Sequence, residues 1–462
     1  MRLGPEYSIL DLNDGTEPQR ETGGRFRRLL RDHRGFSLVL VTAILGITVT
    51  LGFVLSSVVL TDMRSSSLEM EAAQALAAAD AGVELAAGWL RRQPSPPATL
   101  EPIVFARNLQ IGDATIDVTI IPDQQNRFNY LKRFTVQVGA SSGNVARSVS
   151  VDVRMASFSD YVYLTNDEGS GIIWYITGDI IDGKLHSNDR LYIWGRPIFR
   201  GPVTSAASSF GKGGSYNPDF QAGYKLGVPR IDLPTLQEIL ANYQAYGSGN
   251  PFTIYSKRNK RAKLIFKVVS GVGKVAYSGW DRSGHAISGT VALDNLDGLI
   301  RVIGNVNVRG KIKGRVTVLA QRLSGSSGGN IHIRNDLRYA GADANGRPLP
   351  GCEDRLGLIS EANIIIDNTA PNRHDVIIDA ALLALGHSFT VEKYWSGGPR
   401  GTIKLWGSVS QDIRGPVGTF GRHGMTGYMK EYHYDQRLRD APPPYFPASG
   451  EYIVENWRQS DS

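Results

Sequence analysis

The sequence predicts a mainly β protein carried on one long N-terminal transmembrane α-helix, with a C-terminal body built as a parallel β-helix and a β-sandwich as the alternative. Three observations point there. The run Phe36–Leu60 contains no charged residue and is followed by an alanine-rich amphipathic stretch without proline. After Phe158, short steps rich in Val and Ile alternate with Gly, Asn, Asp and Ser. The 52 glycines and 22 prolines among 462 residues call for many tight turns.

Composition sets the outer bounds. At 41% apolar residues the chain is ordinary for a soluble body, so the uncharged run is a local feature rather than one span of many. The single cysteine, Cys352, excludes an intramolecular disulfide and reads as an incidental exposed thiol in the loop "RPLPGCED". A net charge of +7 is spread along the chain and fits adhesion to anionic polymer without specifying it.

Residues 1–35 form a polar leader, expected to be disordered over 1–24. Arg25, Arg27, Arg28, Arg31 and Arg34 then crowd before the apolar run, which places this flank in the cytoplasm. Phe36–Leu60 is long enough to cross a bilayer, for which about 20 residues suffice. It exceeds the core of a removable signal peptide, about 7–15 residues, and no small-residue cleavage site closes it. Leu68, Ala72, Ala75, Leu76, Ala79, Val83, Ala86, Ala87 and Leu90 continue at helical spacing as one stripe. "RRQPSPP" stops the helix, because proline lacks an amide proton and clashes with the preceding turn. The helix is expected over 36–93.

The junction "RGFSLV" and the segment "LEMEAAQALAAADAGVELA" resemble the type IV pilin group, in particular the PilX N-terminal family of pilus assembly proteins. The resemblance implies cleavage between Gly35 and Phe36 by a prepilin peptidase, with Phe36 as the first mature residue. It implies partnership with other pilin-like subunits and an inner-membrane assembly platform. Location would be the bacterial inner membrane, single-pass, with the N-terminus cytoplasmic and the head in the periplasm or outside, incorporated into a pilus. One departure matters. Major pilins carry Glu at the fifth mature position, where this chain has Leu40. A buried carboxylate is costly in lipid and in pilins is thought to pair with a neighbour's new amino terminus. Its loss suits a minor subunit that starts or tips a fibre. A plain single-pass anchor is the simpler alternative.

Residues 98–156 alternate with period two, as in "ATIDVTIIPD" and "RFTVQVGASSGNVARSVSVDVRM", and predict a small antiparallel pilin-like unit. Residues 158–427 hold the degenerate Gly- and Asn-punctuated steps of the β-helix body, with one inserted helix at 233–245. Residues 428–462 are expected to cap its end. The phrases "YITGDIIDGKLHSNDRLYIWGRPIFRGPVTS" and "GYMKEYHYDQRLRDAPPPYFP" resemble an uncharacterised domain that follows PilX-like helices in bacterial envelope proteins; it brings no catalytic residue.

Within that last stretch Tyr428, Lys430, Tyr432, Tyr434 and Arg437, with Arg439, Tyr445 and Phe446 nearby, suggest a stacking platform for polysaccharide or DNA, or else plain structure at the cap. Asp179, Asp182, His186, Asn188 and Asp189 could offer oxygen ligands to Ca²⁺, but lack the order of a Ca²⁺ loop; solenoid turns explain them better. Glu353, Asp354, Asp367, Asp375 and Asp379 would have to converge on one face to serve a carbohydrate-active enzyme. Phosphate-loop, dinucleotide, zinc-protease and nucleophile-elbow motifs are all lacking, and no cofactor is called for. The expectation is a protein that is not an enzyme: a minor pilin-like subunit, alternatively an adhesin.

Overall fold

The computed structural model describes residues 33–461, apart from Phe128, Ser326 and His423. The predicted leader therefore lies, over residues 1–32, outside the described residues. The fold is mainly β with one long N-terminal apolar helix, α1 (His33–Arg92). Helix α1 ends on Arg91 and Arg92, whose charges suit the negative end of the helix dipole, and Pro94 follows. The chain divides into two compact units after Ala73.

In the first unit the helix carries Leu38–Met70 with its apolar side chains exposed. The second unit begins on the same helix and contains both β regions.

One region is an antiparallel five-stranded sheet. Strands β1 (Ile103–Ile111), β2 (Ala114–Pro122), β3 (Arg133–Ser142) and β4 (Val145–Ser157) follow in chain order. The C-terminal strand Ala448–Asp461 then pairs antiparallel with β4 as the fifth. Alternation does what it should: Ile116, Val118 and Ile120 of β2, Val136 and Val138 of β3, and Val149, Val151 and Val153 of β4 are all buried.

The other region is dominated by parallel ladders. One climbs from Phe252–Tyr255 through Leu299–Ile303, Arg315–Ser324, Arg355–Ser360 and Val376–Ala384 to Pro399–Ile413. There Tyr163–Asp167 takes over, and the ladder continues through Leu185–Ser187, Val203–Ser205 and Tyr224–Leu226. The stacking order is thus not the chain order: an early segment sits on top of a late one. Ile300, Val318, Leu358, Leu382, Val409, Tyr163, Leu185 and Val203 are successive register partners and all lie in one buried core. Their uneven spacing along the chain is why no single repeat period emerges from the sequence.

A second ladder runs through Ala262–Val269, Val306–Ile312, Ile331–Tyr339, Ile364–Ile366 and Phe389–Val391. At its corner Asn363 donates to the Asn330 side chain, which donates to that of Asn305, at 3.1 and 3.0 Å. A third passes from Pro399–Ile413 to Gly424–Tyr434, Ile180–Asp182, Ile198–Phe199 and Asp219–Phe220. A short fourth joins Trp174–Tyr175, Tyr192–Ile193 and Gly211–Lys212.

Helix α2 (Leu236–Tyr246) starts at a capping box, with Thr235 and Glu238 bonding each other's backbone amides. It buries Ile239 and Tyr243 on the outer side of the first ladder, against Leu299, Leu319 and Ile359. Tyr445 and Phe446 join the same cluster, and Thr317 Oγ1 donates to Pro444 O at 2.5 Å. The proline run therefore lies along the side of the stack.

Residues 428–462 consequently do not form one terminal cap. Gly424–Tyr434 is an interior rung with strands on both sides, Arg437–Pro447 is the lateral strap, and Ala448–Asp461 completes the other sheet. The physical reason is burial: Tyr428 and Tyr432 face the core and need neighbours above and below.

Candidate membrane and filament interface

Ser37–Arg92 is, among the described residues, the one helix long and apolar enough to cross a membrane. Five hydroxyls in and just after its apolar run bond the helix's own carbonyls. Thr42, Thr48, Thr50 and Thr61 each donate a hydroxyl to a carbonyl one turn back, at 2.7–3.0 Å, and Ser57 does so to Val54 O at 2.8 Å. No hydroxyl in that set needs water, which is the condition for sitting in hydrocarbon. Gly35 and Phe36, the predicted cleavage junction, lie in the helical backbone of α1. Leu40 is exposed in the apolar run.

From Gln74 onwards the helix packs on the five-stranded sheet. Ala75, Ala78, Ala79, Val83, Ala86 and Leu90 are buried against β2, β3 and β4. Burying Val83 and Leu90 contributes roughly 1.5–3 kcal/mol each, while the alanines let the helix approach closely. Gly82 sets the closest point. A Cβ there would lie 2.8 Å from Val138 Cγ1 and 3.0 Å from Ile116 Cδ1. Polar contacts fix the register. Ser142 Oγ donates to Gln74 Oε1 at 2.9 Å, Trp457 Nε1 to Asp80 Oδ1 at 3.0 Å, and Arg91 to Tyr452 O at 3.3 Å. Ala79-Asp80-Ala81-Gly82 thus has a physical explanation: small residues and Gly82 for close packing, Asp80 for the C-terminal strand.

The predicted stacking platform is not formed. Tyr428 and Tyr432 are 3% and 1% exposed. The Tyr428 hydroxyl donates to Asn372 O, and burial pushes its pKa up to about 12. Tyr432 stacks on Tyr163 with centroids 6.0 Å apart. Lys430 Nζ is buried 2.5 Å from Asp179 Oδ2; burial lowers its pKa, against the pull of that carboxylate. Tyr434 is half-buried, and Arg437 forks onto Asp435 and donates to Cys352 O. Residue types in this stretch suggested a platform or a cap; that strands cover it from both sides comes from segments distant in sequence.

The candidate metal ligands are separately engaged. Asp179 holds Lys430. Asp182 accepts from Arg200 at 3.2 Å and contacts His433 at 3.1 Å. His186 lies between Thr204 and Asn188, both at 2.9 Å, and burial lowers its pKa. Asp189 accepts from the Glu168 and Arg190 amides. No group of three His, Cys, Asp or Glu residues among the described residues is placed to hold a metal.

The dispersed carboxylates likewise serve the frame. Glu353 is exposed beside Arg315, Asp354 accepts the Gly314 and Gly341 amides, and Asp375 pairs with Lys404. Asp367 gathers His332, Arg261 and Arg334 at 2.7–2.8 Å. Burial tends to raise its pKa, but those partners outweigh it and hold the carboxyl at about 2. Among the described residues Asp379 accepts only the Tyr339 amide, and burial pushes it up to about 8. Cys352 is buried, correcting the expectation of an exposed thiol, and burial pushes the thiol up.

Sequence reasoning missed the buried ion pair of Arg414 and Glu168, in which the guanidinium also sits 3.8 Å above the Tyr175 ring. No local motif marks it, since the partners come from opposite parts of the chain.

Residues 129–208 match a family described as a domain of unknown function (DUF4900). The match spans β3, β4 and the first of the two long phrases quoted above. No curated protein matches significantly. Among solved structures, the competence-associated pilin ComZ from Thermus thermophilus is similar at 14% identity. The similarity covers 86% of this chain and 97% of that one, with a TM-score of 0.36. At that TM-score the likeness carries no functional argument, and the reading rests on this chain's own helix and sheet.

Proposed function

We propose that this chain is a membrane-anchored, minor pilin-like subunit of a type IV pilus or related filament, cut by a prepilin peptidase after Gly35. One observation carries the reading: a single continuous helix is uncharged from Phe36 to Leu60, with five hydroxyls, the last at Thr61, bonding its own carbonyls, and is seated by alanines and Gly82 on an antiparallel sheet in its second half. Such a helix can be stored in the bilayer and later pack side-to-side with others. Pilin-like subunits and an inner-membrane platform are the corresponding partners, with the N-terminus cytoplasmic and the body on the far side. The role is assembly rather than catalysis. Leu40 in place of a glutamate removes the acceptor for a neighbour's amino terminus and favours a starting or tip position. The stacked parallel ladders are best read as a parallel β-helix forming the head.

The test is the mature N-terminus. Mass spectrometry of the protein from cells with an active prepilin peptidase is expected to find a chain beginning at N-methylated Phe36. An intact Met1 terminus in such cells defeats the processed-subunit reading and leaves a plain anchor.

A further inference from the structure

The short fourth ladder builds an aromatic surface that the filament role does not use. Trp174 and Tyr192 are register partners whose rings meet at 5.7 Å. Trp174 also meets Trp194 at 5.4 Å, and Trp194 meets Phe420 at 5.8 Å. Phe420 belongs to the hairpin Gly418–Gly421/Gly424–Tyr434, from which Thr426 reaches Tyr394 O; Tyr394 in turn carries Trp395 on its ring at 4.9 Å. Trp194, Phe420 and Trp395 are 41%, 38% and 63% exposed.

The next rung makes room for these rings. A Cβ on Gly211 would lie 2.1 Å from Tyr192, and on Gly213 2.4 Å from Trp194. The rings therefore rest directly on backbone. Rigid aromatic rings lose little conformational entropy when a ligand docks. Single exposed aromatics are unremarkable, but a cluster held by contacts and a glycine floor marks an interaction surface.

Charge narrows the occupant. The segments 171–177, 190–196, 211–217 and 418–422 contain Arg190, Arg196, Lys212 and Arg422 and no Asp or Glu. A carboxylate near them, Asp219, stands 4.0 Å from Arg196. The rings meet nearly edge-to-face, at 82°, 79° and 66°. They offer facets rather than a run of parallel steps, which suits the C–H faces of a twisted sugar chain better than successive stacked bases. We propose that this surface, formed by Trp174, Tyr192, Trp194 and Phe420 with flanking Arg196 and Lys212, binds an anionic polysaccharide. It replaces the buried Tyr428–Arg437 stretch as the head's ligand face and is independent of leader processing.

Affinity electrophoresis of the full chain in detergent tests this, using alginate as a polyuronate, dextran as a neutral polymer and oligo-deoxythymidylate as a nucleic acid. Alginate is expected to retard the protein, less so at high salt. Trp194→Ala and Phe420→Ala should each weaken retardation about tenfold, while Trp457→Ala, on the five-stranded sheet, should not. Circular dichroism melting checks each variant; if Trp194→Ala unfolds, Phe420→Ala on its exposed hairpin decides. Unchanged migration in alginate, equal retardation of the folded variants, or retardation by oligo-deoxythymidylate as strong as by alginate overturns the proposal.

Discussion

Arg414 and Glu168, 246 residues apart in sequence, meet at 2.7 Å with both side chains fully buried. They lie where the ladder passes from Pro399–Ile413 to Tyr163–Asp167. Gln411, which donates to the Tyr163 hydroxyl, crosses the same junction, and Lys430, paired with Asp179, joins late and early segments in the third ladder. A buried pair need not add net stability, but removing one partner strands the other charge. Such pairs suit a junction where two chain segments must stack in one register.

Glu168→Ala is expected to destabilise the protein by about 3–5 kcal/mol, since Arg414 keeps its burial and loses its counter-charge. Urea unfolding of the detergent-solubilised chain measures this. The double variant Glu168→Ala/Arg414→Met should lose less than the two single losses added together. A single-variant loss under about 1 kcal/mol would mean the junction does not depend on the pair.

Gly82 and Gly88 sit on the same helix but should respond oppositely. Gly82→Leu drives a side chain into Val138 and Ile116 and should cost about 1–3 kcal/mol. At Gly88 an added Cβ meets only the Arg92 side chain, at 3.4 Å. Gly88→Ala should therefore stabilise by up to ~1 kcal/mol through helix propensity. Thermal melts compare them; equal effects would dismiss close helix–sheet packing at Gly82.

Asp367 makes stability depend on acid. Its carboxyl is held at about 2, below the ordinary 3.8, and its side chain is 2% exposed. Its stabilisation is fully present above the ordinary value and disappears as pH falls through about 2, amounting to ~2 kcal/mol. Asp367→Asn should be less stable at neutral pH and show a flatter decline below pH ~4. A wild-type slope retained in the variant would assign the acid sensitivity elsewhere.

Truncation after Pro447 removes the fifth strand and leaves β4 as an open edge, while Trp457 no longer holds Asp80. Open edges template pairing with other chains. Light scattering is expected to find association, and proteolysis should reach β4; a monodisperse, protease-resistant product would contradict the strand's role.

Much of the helix and of the small sheet was legible in the sequence, because both are governed by short-range patterns. A run without charge, a stripe at helical spacing and a proline stop describe α1, and period-two alternation describes β2–β4, while the irregular β1 carries no such pattern. The burial of Tyr428 and Tyr432 was not legible, because it depends on strands from distant segments above and below them. Tertiary structure alone decided what covers a face and what stacks on what. Parallel rungs are joined by hydrogen bonds between distant segments, and no local pattern records that Val409 pairs with Tyr163 or that Ala448–Asp461 joins β4. The same holds for the aromatic surface, whose rings come from three separate segments and fit where they do because Gly211 and Gly213 fall on the neighbouring rung. Residue type and spacing are local quantities; stacking order, burial of the tyrosines and pairing of the buried charges depend on contacts between segments far apart in the chain.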